Sequence, residues 1–186
     1  SGKLEVLENI ISKVDSLLIG GGMAFTFLKA QGYEIGGSLV EDDLIETAKT
    51  VMAKAKERGV QLLLPTDCVI AEEIKAGVTT KVVSVRDIPK GWKGLDIGPE
   101  TIRAFNEVIK KSKTVVWNGP MGVFETEGFE KGTYAVADTI ANTKLMSVVG
   151  GGDSVSALKK SGNQGKVTFV STAGGAFMEL LEGKVL

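Results

Sequence analysis

The chain has 186 residues, 22 Lys and Arg against 23 Asp and Glu, and a net charge of −1. That length suits one well-buried domain, and the balanced charge offers no footprint for nucleic acid or an acidic membrane surface. There is no histidine and one cysteine, Cys68, which excludes Ser-His-Asp and Cys-His catalysis, His-containing zinc sites and any internal disulfide or thiolate cluster.

Leu4, Leu7, Ile11 and Val14 mark one face of an opening helix, followed by the strand SLLIG. MAFTFLKAQ reads as a helix stopped by Gly32, and EIGGSL as a loop. From Glu41 to Arg58 the pattern is a helix with three acids at its start, basic residues at its end and Gly59 as the stop. VQLLLP is a strand that DCVIA continues after Pro65, KVVSV is another strand, and IPKGWKGLDIGPE is turn-rich and long for a connection. Pro99 suits the first turn of a helix through Lys111, and TVVWN is the next strand. A helix from Phe129 to Ala141, the strand LMSVV, a helix from Asp153 to Lys160, the strand VTFVS and a final helix through Leu181 complete the alternation.

The expected fold is α/β: a doubly wound, mainly parallel sheet with helices on both faces, a Rossmann-like three-layer sandwich forming one domain over residues 1–186. Four apolar runs stop at glycine-rich turns before a helical pattern, in SLLIGGGMAF, VVWNGPMGVF, SVVGGGDSVS and FVSTAGGAFM. Helix amino termini with free N–H groups gather there at the carboxyl ends of strands, a setting for phosphate and hence for a nucleotide. With no histidine, the chemistry left to carboxylates, lysines, backbone amides and a bound metal ion is best matched by phosphoryl transfer. Neither G-x-x-x-x-G-K-[ST] nor G-x-G-x-x-G is present. Charges begin at Lys3 and Glu5 and no apolar run is long enough for a membrane helix, so a soluble, cytoplasmic chain is expected. Cys68 reads as a small core residue.

Five strings, IGGGMAFTFLKAQG, GWKGLDIGPET, VVWNGPMGVFE, VVGGGDS and STAGGAFMELLEGK, in this order and spacing, resemble the carboxyl-terminal, nucleotide-binding domain of phosphoglycerate kinase. The resemblance implies ADP or ATP with Mg²⁺, and an amino-terminal domain elsewhere that holds 3-phosphoglycerate or 1,3-bisphosphoglycerate. It implies an adenine slot lined by Gly21, Gly22, Leu39, Gly94 and Leu95, with Pro120, Gly122 and Val123 as the opposite wall and Glu125 accepting from the ribose. It further implies Asn118 and Lys3 at the phosphates, a cradle of Gly151, Gly152 and Ser154, Asp153 as magnesium ligand, and Gly152, Gly174 and Gly175 as helix-start glycines serving catalysis. Taken alone, the glycines are equally tight strand-to-helix turns, Asn118 a turn former, Glu125 a solvated or capping residue, Asp153 a helix-start acid and Lys3 a surface lysine near a terminus.

Against the resemblance, the chain begins after the place of the family's GGAKV segment and stops at GKVL, and Ala173 replaces the first glycine of an S-T-G-G-G-A run. If that site requires positive φ, Ala173 imposes a local cost of about 1 kcal/mol; if not, it merely narrows the cradle. The chain alone is expected to bind nucleotide as a monomer without turnover, with neither nucleic acid nor membrane as partner. A non-catalytic nucleotide-binding or interaction module and a dinucleotide-dependent oxidoreductase domain are the alternatives.

Overall fold

A computed structural model describes the backbone of residues 2–171 and the side chains from Val6 onward. α1 (Gly2–Ile10), β1 (Ser16–Leu18), α2 (Gly22–Ala30), α3 (Ile45–Arg58) and β2 (Gln61–Leu63) open the chain. Three strands follow with no helix between them, β3 (Asp67–Ala71), β4 (Lys81–Ser84) and β5 (Lys93–Ile97). Alternation then resumes with α4 (Pro99–Lys111), β6 (Thr114–Asn118), α5 (Lys131–Asn142), β7 (Met146–Gly150), α6 (Gly152–Lys160) and β8 (Phe169–Ser171). The expected final helix, with Ala173, Gly174 and Gly175, lies outside the described residues.

β1 pairs with β2 in parallel, and β6, β7 and β8 form a second parallel sheet in which Trp117 stands opposite Val149 and Val149 opposite Val170. Helices flank these sheets, as the alternation of strands and helices predicts. One face of β6 and β7 is the main core: Phe105 and Ile109 of α4, Val136 and Ile140 of α5 and Leu158 of α6 pack with Trp117 and Val149. Each such side chain, fully buried, stabilises the fold by about 1.5–3 kcal/mol. A second cluster, Ile11, Phe27, Leu44 and Val51 among its members, joins α1, α2 and α3.

Three sequence expectations need correction. DCVIA does not continue the preceding strand: as β3 it is the centre of a separate antiparallel sheet, ordered β4-β3-β5. The segment read as turn-rich supplies β5, whose interior Gly94 hides its strand character. A Cβ on Gly94 would run into the Phe25 ring, so glycine is required there by the close approach of α2. A register shift between Val69 and Ile70 lets β3 pair with this strand. The helix predicted from Glu41 begins instead at Ile45, and Asp42–Leu44 forms a 3₁₀ turn before it. Lys29 reaches Asp42 Oδ1 at 2.9 Å, with both side chains exposed, a contact worth under about 1 kcal/mol. Gly59 ends α3 at φ 72°, the left-handed cap that its position predicts.

α4 is capped from a distance. Pro99 occupies its first turn, and the free N–H groups behind it meet the buried carboxylate of Asp67 on β3. Oδ2 accepts from the Glu100 amide at 3.0 Å, and Oδ1 accepts from the Thr101 amide at 2.9 Å and the Thr101 hydroxyl at 2.7 Å. Thr101 Oγ1 accepts in turn from the Thr66 amide at 3.0 Å. Next door, Cys68 is 1% exposed. Burial first, and the charge of Asp67 second, push its thiol up to about 12, so it remains a packed thiol rather than a nucleophile.

Candidate functional site

The carboxyl ends of β1, β6 and β7 meet through their glycine turns. After β1, Gly21 sits at φ 69° before α2, in a region that side chains avoid, and its amide donates to the Met121 carbonyl at 3.1 Å. A Cβ there would lie 2.7 Å from the Pro120 carbonyl oxygen, so the β1 turn can touch the β6 turn only as glycine. After β6, the Gly119 amide donates to Ser154 Oγ at 2.6 Å, and Trp117 Nε1 donates to the Gly119 carbonyl at 2.7 Å. After β7, Gly151 at φ 87° precedes α6, and a Cβ on it would meet Asn118 Oδ1 at 2.7 Å. Asn118 and Gly150 pair directly across the two strands.

A second line of contacts joins this rim to the antiparallel sheet. The Val123 amide donates to the Leu95 carbonyl at 2.9 Å. A Cβ on Gly122 would stand 2.6 Å from that same carbonyl oxygen and 2.5 Å from Asp96 Oδ1. Leu39, 72% exposed, stands beside Gly22, whose Cβ would be 3.3 Å from its Cδ2. The Gly94 amide donates to Ser38 Oγ at 2.9 Å.

Asp96 was not singled out by the sequence, where GLDIGP reads as a turn, yet it is 3% exposed. Its Oδ2 accepts from the Gly132 amide at the start of α5, and its Oδ1 accepts from the Ile97 amide, both at 2.9 Å. Burial pushes its carboxyl up to about 7, with Glu130 adding to the rise, while the two amides and Lys131 oppose it. Thr133, fully buried, accepts from the Met121 amide at 3.0 Å and holds the same loop from α5. No local sequence signal marks it, because its partner is set by tertiary packing.

Pro120, Gly122, Val123, Phe124, Glu125 and Asp153 enclose a cavity of about 200 Å³. It brings Glu125 and Asp153, 28 positions apart in the sequence, to one opening. Among the described residues no group of three acids could bind a metal alone. A single carboxylate at a helix start could nevertheless contribute to a magnesium site, because magnesium takes one or two protein carboxylates and completes its shell with phosphates and water. Ser154 is fully buried with its hydroxyl on Gly119, so it fixes the β6 turn. A larger cavity of about 660 Å³ opens between the ends of α2 and α3 and strands β2 and β4; none of the glycine turns borders it. Of the site residues that the resemblance implies, all but Lys3, Gly174 and Gly175 are therefore placed at this rim or its supports. The Lys3 side chain and both glycines lie outside the description.

The family model for phosphoglycerate kinase matches residues 1–184. The chain belongs to the phosphoglycerate kinase family. Phosphoglycerate kinase from Pelobacter propionicus is 54% identical over 186 residues, all of this chain and 47% of that protein, and the one from Geotalea daltonii is 56% identical over 187 residues. The structure of phosphoglycerate kinase from Coxiella burnetii matches 98% of this chain and 48% of its own, at 44% identity and a TM-score of 0.96. That from Pyrococcus horikoshii OT3 matches at 27% identity and a TM-score of 0.81. The chain spans about half the length of the phosphoglycerate kinases it matches. Among the described residues no helix is long and apolar enough to cross a membrane.

Proposed function

We propose that this chain is the nucleotide-binding, carboxyl-terminal part of a phosphoglycerate kinase and holds Mg-ADP or Mg-ATP at the joined glycine turns. The whole enzyme transfers the phosphoryl group of 1,3-bisphosphoglycerate to ADP, giving ATP and 3-phosphoglycerate, with the acid substrate held by an amino-terminal domain. The supporting observation is that the β1, β6 and β7 turns meet one another, and that the β6 loop and the start of α6 line a cavity that Glu125 and Asp153 share.

Glycine at 21 and 22 and an exposed Leu39 leave one flat apolar side for a base, and Gly122 and Val123 form the other. Glu125 is placed to accept from ribose hydroxyls. The start of α6 at Gly152 presents unpaired amides and partial positive charge to phosphate, with Asn118 alongside at the end of β6. Magnesium, when bound, neutralises phosphate charge, and Asp153 is the residue to hold it. Residues 1–186 taken by themselves bind nucleotide and turn over nothing, because the acid substrate is held elsewhere in the whole enzyme.

Asp153→Ala tests the assignment by calorimetric titration with ADP. With magnesium the affinity falls about tenfold, or about 1.4 kcal/mol; in chelator it is unchanged. The helix cap itself is the backbone of Gly151, so folding stability falls by less than about 1 kcal/mol. Equal losses with and without metal overturn the magnesium assignment, and absence of binding to the parent chain overturns the nucleotide assignment.

A further inference from the structure

Asp96 joins three pieces of chain that have no covalent reason to move together. It belongs to β5, accepts from the Gly132 amide of α5, and lies directly beneath Gly122 of the loop after β6. Cβ atoms on Gly122 and on Gly132 would both crowd its Oδ1, so two glycines in separate elements are shaped to close on one carboxyl group. One residue earlier, the Leu95 carbonyl accepts from the Val123 amide at 2.9 Å. β5 thus meets the loop twice in succession, by a backbone hydrogen bond at Leu95 and by the close packing of Gly122 against Asp96.

We propose that Asp96 is a positioning residue for the wall formed by Gly122 and Val123, and that gain or loss of its proton changes how that wall is held. Its consequence for binding rests on the nucleotide assignment; the coupling itself does not. As a carboxylate, Asp96 accepts from both Gly132 and Ile97. Once protonated, one oxygen becomes a hydroxyl donor, and the amide that faces it is left with a weaker, uncharged acceptor. The charged groups acting on it stand at the start of α5, Glu130 favouring the proton and Lys131 opposing it. β3 sets the apolar Val69 opposite it and the loop sets Gly122 over it. Burial brings its titration to about 7, so the wall is fully held above neutrality and relaxed below.

The test follows amide resonances of Gly122, Val123 and Gly132 in the ligand-free chain from about pH 5.5 to 8.5, alongside titrations with adenosine, which carries no group ionising in that range. In the parent chain the three amides shift together with one midpoint near 7, and adenosine affinity rises about threefold or more from acid to base. Asp96→Asn abolishes both changes. Glu130→Gln moves the midpoint to lower pH and keeps the titration, an outcome that a merely structural Asp96 would not produce. Wall amides that stay flat in the parent chain, or titrate alike in Asp96→Asn, overturn the proposal, whether or not adenosine binds. Amides that titrate in a chain taking no adenosine at any pH uphold the coupling and instead count against the nucleotide assignment. If Asp96→Asn does not fold, the parent and Glu130→Gln series decide the matter.

Discussion

Asp67→Ala lowers the free energy of unfolding by about 3 kcal/mol, seen as a lower denaturant midpoint at unchanged slope. An ordinary helix cap is worth about 1 kcal/mol, but Asp67 is more than a cap. It is 7% exposed and accepts from the Glu100 and Thr101 amides and the Thr101 hydroxyl. Hydrogen bonds to a charged group contribute about 1.5–3 kcal/mol and do not add fully when they share an acceptor. Removing the carboxylate strands two helix-start amides in a place water reaches poorly. Asp67→Asn keeps one acceptor oxygen and loses about half as much. A loss below about 1 kcal/mol for alanine would mean that water enters behind Pro99 and takes over the carboxylate's bonds.

The second large effect is a pH dependence of stability opposite to that of most carboxylates. The folded pKa of Asp96 is raised to about 7 from an ordinary value of 3.8. The folded chain therefore holds a proton that the unfolded chain has released between these values. The stabilisation is complete below the unfolded pKa, declines as pH rises through this window, and is fully lost above about 7. Measured against Asp96→Asn to cancel every other titration, the parent loses about 2–3 kcal/mol between pH 5 and 8. Parallel stability curves for the two proteins would show that the group is hydrated when folded and ionises normally.

The turns that build the candidate site were legible because their glycines have local reasons to be glycine. Gly21 and Gly151 adopt positive φ at the junctions where an apolar run gives way to helical periodicity. The parallel strands were equally legible as short apolar runs. β5 was not, since KGLDI carries a glycine and an aspartate, and what places it in a sheet is the Phe25 ring against Gly94 and pairing with β3. The roles of Asp67, Asp96 and Thr133 were hidden for a related reason. Their partners lie 34, 36 and 12 positions away in sequence, beyond the reach of any local pattern, and only packing brings them together.

The capping of α4 by β3 also bears on how the domain opens. A helix whose first amides are held by its own neighbouring residues can fray alone, one turn at a time. The Glu100 and Thr101 amides are instead held by a strand that precedes them by more than 30 residues, so releasing them requires β3 to withdraw. Their hydrogen exchange consequently reports the separation of β3 from α4, and the two elements open as one cooperative unit rather than by fraying.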